Sequence, residues 1–143
     1  MKLGFTGTRE RPTEAQRLAL AKLLEMSEAE ELHHGDATGA DSVAHHIALS
    51  LRELRGWPRI IIHPPSNVVH RACCLGADTM MPEQEYLVRN RAIVDATDKL
   101  VAMPKGSEES LRSGTWSTVR FARHRRKPIL LIFPDGTTKV EEP

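Results

Sequence analysis

LHHGDATGADSVAHHIALSLRELRGWPRIIIH, residues Leu32–His63, reads as strand, glycine-bearing loop, helix and strand. Ala40, Val43, Ala44, Ile47, Ala48, Leu51 and Leu54 recur at three- and four-residue steps, the spacing of a core-facing helical stripe. Gly56 ends that helix and Pro58 prevents its continuation. Arg59–His63 carries three consecutive isoleucines, the composition of a strand covered on both faces. Leu32–His34 is too polar to identify alone; the helix behind it makes it a strand. One strand–helix–strand unit of this length predicts a parallel pair joined by a crossover.

The same alternation extends in both directions. Lys2–Thr6 reads as a short strand ending in Gly7. Thr13 and Gln16 form a capping-box pattern, with Glu14 in the first turn at the positive end of the dipole. Ala15, Leu18, Ala19, Leu23 and Met26 form one face of the helix that follows. Pro64–Pro82 has three prolines and no sustained period, which predicts a functional or mobile loop. Glu83–Ala96 reads as a helix with Tyr86, Leu87, Ile93 and Val94 on its apolar side, and Lys99–Met103 as a strand. Gly114–Arg126 reads as a helix with Trp116, Val119 and Ala122 inward, and Pro128–Phe133 as a strand. Asp135-Gly136 turns the chain into a polar tail over residues 134–143. The expectation is a single α/β domain over residues 1–143, a doubly wound, mostly parallel sheet of about five strands with helices on both faces.

Composition narrows the function. The 143 residues are 40% hydrophobic and 27% charged, close to globular averages, and Ile129–Phe133, the longest apolar run, is too short to span a bilayer. Polar Thr6, Thr8, Arg9 and Glu10 follow Met1 closely, so no secretory leader is read and a cytoplasmic location is expected. Twenty basic and nineteen acidic side chains leave a net charge of +1. That balance argues against a protein that coats nucleic acid. The cluster Arg120, Arg123, Arg125, Arg126 and Lys127 suits a helix C-terminus, with a single-stranded nucleic-acid contact as the alternative. Cys73 and Cys74 are adjacent and are read as reduced thiols. The seven histidines show no metal-ligand spacing, so no metal and no cofactor are called for. His63, at a strand's carboxyl end, is a candidate ligand contact.

In such sheets ligands bind beyond the carboxyl ends of the strands, and this chain keeps its glycines there. Gly7-Thr8-Arg9 follows the first strand and Gly35 to Asp41 the second. Lys105-Gly106 and Arg112-Ser113-Gly114-Thr115 follow the strand at Lys99–Met103. Glycine lets backbone amides approach an anion, hydroxyls and guanidinium groups add donors, and a helix N-terminus adds partial positive charge. Loops of this kind converging on one sheet edge predict a small ligand bearing phosphate.

These residues resemble a known family. His34-Gly35-Asp36-Ala37-Thr38-Gly39-Ala40-Asp41-Ser42-Val43-Ala44 is similar to the GGAxGAD–xxA segment of the SLOG superfamily. These are Rossmann-like nucleotide-binding proteins that include the LOG phosphoribohydrolases and the DNA-processing protein A family. Gly7-Thr8-Arg9 matches its first-loop motif. Arg89-Asn90-Arg91, the strand at Lys99–Met103, and Gly114-Thr115 match its later segment in order. The resemblance implies ligand contacts at Gly7, Thr8, Arg9, Gly35, Gly39, Asp41, Arg89, Asn90, Ser113, Gly114 and Thr115, and a homodimer. It follows that Gly114→Val and Arg89→Ala should weaken binding while leaving the melting temperature nearly unchanged.

One departure bears on activity. LOG enzymes place a carboxylate shortly after the Gly-Thr pair, whereas this chain reads Gly114-Thr115-Trp116-Ser117-Thr118-Val119. Water activation at a glycosidic bond needs such a group. A nucleotide-binding or sensing module is therefore expected. The alternative, a nucleoside 5′-monophosphate phosphoribohydrolase, would take its carboxylate from Glu109, Glu85 or Asp41.

Overall fold

The computed structural model describes residues 1–143 as one seven-stranded sheet flanked by four helices. In chain order the elements are β1 (Lys2–Gly7), α1 (Glu14–Met26), β2 (Glu31–His34), α2 (Ala40–Arg55), β3 (Arg59–Ile62), β4 (Thr79–Met80), α3 (Tyr86–Ala96), β5 (Lys99–Met103), α4 (Gly114–His124), β6 (Ile129–Ile132) and β7 (Thr138–Glu141). The spatial order is β4-β3-β2-β1-β5-β6-β7, and every pairing except β6 with β7 is parallel. No helix is long and apolar enough to cross a membrane.

The strand order reverses direction beside β1: the chain winds outward through β2, β3 and β4, then returns to place β5 on the other side. Right-handed crossovers therefore put α1 and α2 on one face and α3 and α4 on the other. Two core layers result. Leu20, Leu24, Ala40, Ala44 and Ala48 pack on one side with Leu3, Phe5, Leu32 and Ile60. Val94, Trp116, Val119 and Ala122 pack on the other. β5 and β6 serve both layers by alternation: Val101, Met103, Leu130 and Ile132 face the first, while Leu100, Ala102, Ile129 and Leu131 face the second.

Two strands lie outside the five expected. The segment 134–143 is no mere polar tail, because Thr138–Glu141 pairs antiparallel with β6. Asp135 accepts from the Thr137 amide and hydroxyl, and Gly136 turns at φ 85°, closing the hairpin. An edge strand needs no alternating apolar pattern, which is why Thr138, Lys139 and Val140 concealed it. The two-residue β4 is held through Asp78, which accepts from the Ile60 amide and pairs with Arg52 at 2.6 Å.

Helix phase is the other correction. The capping box of Thr13 and Gln16 is present. α1, however, buries Gln16, Leu20 and Leu24, leaving Leu18 and Met26 exposed. The Gln16 side-chain amide donates to the Pro104 and Ile132 carbonyls, and those bonds rotate the helix. Leu54, counted in the α2 stripe, is also exposed. α3 starts at Tyr86 rather than Glu83, capped by the Glu85 carboxylate, and it buries Arg89 and Asn90 where Leu87 was expected. The α4 face of Trp116, Val119 and Ala122 is buried as read.

Candidate functional site

β1 and β5 are adjacent strands whose connections leave in opposite directions, so the turns after Gly7 and Met103 diverge and open a crevice. The Thr8 amide donates to the Met103 carbonyl at 2.9 Å, closing the floor. Above it lies a cleft of about 830 Å³. Gly7, Thr8 and Arg9 form one wall, and Ser113, Gly114 and Thr115 at the start of α4 form another. Six of the eleven residues singled out in the sequence thus share this cleft.

Ser113 caps α4 by accepting from the Trp116 amide. The Gly114 and Thr115 amides have no intrahelical acceptor, as the first donors of any helix must lack one, and no other protein group meets them. With the helix dipole behind them they present partial positive charge at the α4 start. Arg9 and Arg112 line the cleft without a carboxylate partner, while Lys105 pairs with Glu10 at 3.0 Å across it. Trp116 is buried in the second core layer, so it walls the cleft as packing.

Tyr86 is the residue that sequence reading assigned elsewhere. Its ring carries the Arg9 guanidinium 4.5 Å from its centroid and that of Arg89 at 4.9 Å. Its hydroxyl lies against the α4 start: a Cβ on Gly114 would come within 2.6 Å of it. The position was legible only as Tyr86 three residues before Arg89, one helical face shared by a phenol and a guanidinium. Glu10 and Glu108 are the carboxylates of the cleft, and no motif in the sequence marks them.

The β2–α2 loop does not open on the cleft. Asp36, fully buried with φ 57°, accepts from the Cys74 amide at 2.9 Å and Arg71 Nε at 3.1 Å. The Thr38 amide donates to the His70 carbonyl, and the Ala72 amide to that of Asp36. Within the segment 64–82, expected to be functional or mobile, residues 70–74 are therefore tied to this loop. Gly39 sits at φ 87° and ψ −124°, where a Cβ would lie 2.5 Å from each of the Thr8, Arg9 and Glu10 carbonyl oxygens. It packs the second loop beneath the first. Asp41 Oδ2 accepts from the Ala37 amide, and burial raises its carboxyl to about 6. Its Oδ1 has no hydrogen-bond partner.

Arg89 is only 2% exposed and serves the interior. It donates to the carbonyl of Gly35, to that of His63 at 3.3 Å and to Asn90 Oδ1 at 2.7 Å. Its edge reaches a separate recess of about 330 Å³ shared with Arg9, Tyr86 and His70. Substituting Arg89 would therefore disturb the fold, contrary to the expectation of an unchanged melting temperature.

His63 is also internal. It is 3% exposed and its Nε2 lies 2.8 Å from His33 Nδ1, while His33 Nε2 reaches Glu31 at 2.9 Å. On the opposite face the Asp36 amide donates to His34 Nδ1, leaving His34 Nε2–H to donate to His45 Nδ1. His45 Nε2–H then donates to the Leu75 carbonyl. That chain is satisfied only with both rings neutral. Burial lowers the pKa of all four histidines, His63 to about 4 and His34 well below its ordinary value. No three metal-ligating side chains converge.

The basic cluster is largely engaged. Arg120 and Arg123 share Glu109, Arg123 also pairs with Glu141, Arg125 pairs with Asp95, and Lys127 donates to the Thr97 carbonyl. Of the carboxylates considered for hydrolysis, Glu109 is held in those pairs, Glu85 caps α3 and Asp41 is buried.

The architecture is Rossmann-like α/β, as comparison with solved structures shows. The molybdenum cofactor binding protein from the phototrophic bacterium Rippkaea orientalis matches with a TM-score of 0.65 and 22% identity, over 91% of this chain and 74% of that one. The protein TM1055 matches with a TM-score of 0.61 and 16% identity, over 90% and 71%. Neither the family models nor the curated proteins contain a match.

Proposed function

We propose that the cleft binds a nucleotide or a nucleotide-derived phosphate, as a SLOG-type binding or sensing module. The observation that carries the reading is the pair of unpartnered amides at Gly114 and Thr115, opening on a cleft at the point where the strand order reverses. A phosphate seated there meets two backbone donors, the Ser113 hydroxyl and the Tyr86 hydroxyl. Arg9 and Arg112 supply charge without having to break an ion pair first. That a neighbour of the same fold is a molybdenum cofactor binding protein fits a small-molecule role.

Calorimetric titration with AMP, CMP, GMP, UMP and inorganic phosphate tests it. Saturable binding of at least one nucleotide, weakened tenfold or more in Arg9→Ala, is the expected result. Absence of binding across the panel overturns it.

Hydrolysis of the N-glycosidic bond is the second reading, favoured by one feature: Glu10 and Glu108 bring carboxylates to the cleft. Chromatography of the same incubations for free base decides it, with Glu10→Gln and Glu108→Gln assigning the base. The reading includes a cytoplasmic location and a homodimer, for which the exposed apolar Val68, Val69 and Leu75 between β3 and β4 are candidate contacts. Light scattering at twice 16.0 kDa is the expected outcome.

A further inference from the structure

The cleft does not end at the α4 start. Leu87 and Ser117 line it and also line a second cavity of about 420 Å³, set between α3 and α4. This groove is bordered by Arg91, Arg120, Phe121 and His124, and no carboxylate is among its lining residues. Arg120 shares Glu109 with Arg123. Arg91 has no acidic partner, and its guanidinium lies 5.3 Å from the centroid of the Phe121 ring. Gly114 and Phe121 are seven residues apart on one helix, which sets the two compartments about 10 Å apart along its axis.

From this continuity we infer that the groove holds a second anionic group of the same ligand, so that the molecule bound is of dinucleotide type. The inference rests on the nucleotide reading of the cleft. One phosphate sits on the Gly114 and Thr115 amides. The ligand then crosses Leu87 and Ser117, and its second phosphate meets Arg91 and Arg120, with Phe121 offering a ring edge beside them. A free guanidinium in a groove lacking carboxylates is positioned to select charge, and Asn90 and His124 add hydrogen-bonding groups around it.

The test compares 5′-mononucleotides with 5′-phosphorylated dinucleotides joined by a phosphodiester; dinucleotides joined by a pyrophosphate, whose two phosphates share one bridging oxygen and cannot span both compartments, serve as the control. Titrations use wild-type protein, Arg91→Ala and Arg91→Glu. We expect the phosphodiester-joined dinucleotides to bind tenfold or more tightly than their mononucleotides, and the pyrophosphate-joined ones to show no such gain. That gain should disappear in Arg91→Ala and reverse in Arg91→Glu, while mononucleotide affinity stays within twofold and reports an intact cleft. Equal affinity for mononucleotides and dinucleotides overturns the inference but leaves the nucleotide reading standing. A dinucleotide advantage that survives both substitutions also overturns it, since the second group then lies elsewhere. Loss of all nucleotide binding in wild-type protein defeats the cleft reading first.

Discussion

The β2–α2 loop and the β5–α4 loop are written in the same vocabulary, glycine, hydroxyl and a helix start, and the fold uses them in opposite ways. In the first, the amides of Asp36, Ala37 and Thr38 each reach a protein acceptor, and Gly39 is wedged against three carbonyl oxygens. In the second, the Gly114 and Thr115 amides meet none and face a cleft. A glycine loop before a helix is therefore a supply of donors. Whether a ligand or the protein takes them depends on what lies across the gap. Here residues 70–74 and Arg89 close over one loop, while only the Tyr86 ring approaches the other.

That contrast can be broken by substitution. Gly39→Val should be the most damaging, since it adds a side chain at φ 87° into backbone oxygens that cannot retreat; a loss of about 3 kcal/mol or more in urea unfolding is expected. A stable Gly39→Val protein would show that the first loop is not packed as described. Arg89→Ala should cost roughly 3 kcal/mol, because it strips partners from the buried Gly35 and His63 carbonyls. An unchanged denaturation midpoint would place Arg89 with the ligand instead of the interior.

The histidine pairs sharpen the same division, since only the closed half of the molecule depends on them. Between pH 6.5 and 4 the unfolded chain takes up a proton at His63 that the folded protein refuses, so stability falls as pH falls through this window. His63 alone accounts for roughly 2–3 kcal/mol by this linkage. Asp41 acts in the opposite sense, its raised carboxyl being protonated in the folded protein first. The check is therefore differential: from pH 7 to pH 4.5, urea midpoints should fall less in His63→Gln than in wild type. Parallel curves would remove His63 from the account.

Substitutions in the open loop should have smaller effects on stability and larger ones on binding. Gly114→Ala displaces the Tyr86 hydroxyl at a cost of about 1 kcal/mol, with nucleotide affinity reduced at least tenfold. Arg9→Ala, on an exposed side chain with no ion pair, should change stability by less than about 0.5 kcal/mol and be detected only in titration.

Much of this was legible in the chain. Isoleucines at Ile60–Ile62, the stripe from Ala40 to Ala48 and the Thr13–Gln16 box are local signals, read from spacing and hydrogen-bonding capacity alone. The six cleft residues at the end of β1 and the start of α4 were readable because a doubly wound sheet brings its strand ends to one edge. What misled was phase and partnership. Gln16 turned α1 through bonds to carbonyls 88 and 116 residues away, and Arg89 found carbonyls 54 and 26 residues away. Tyr86 gained its place from two guanidinium groups on different elements.

The order of the five principal strands and four helices, the position of the glycine turns and the near-neutral charge were determined by the sequence itself, because they rest on periodicity, capping and composition within a few residues. Tertiary structure alone decided which donors remain free. A backbone amide or a guanidinium carries no mark in the sequence of whether another segment will reach it, and that depends on contacts closed across dozens of residues.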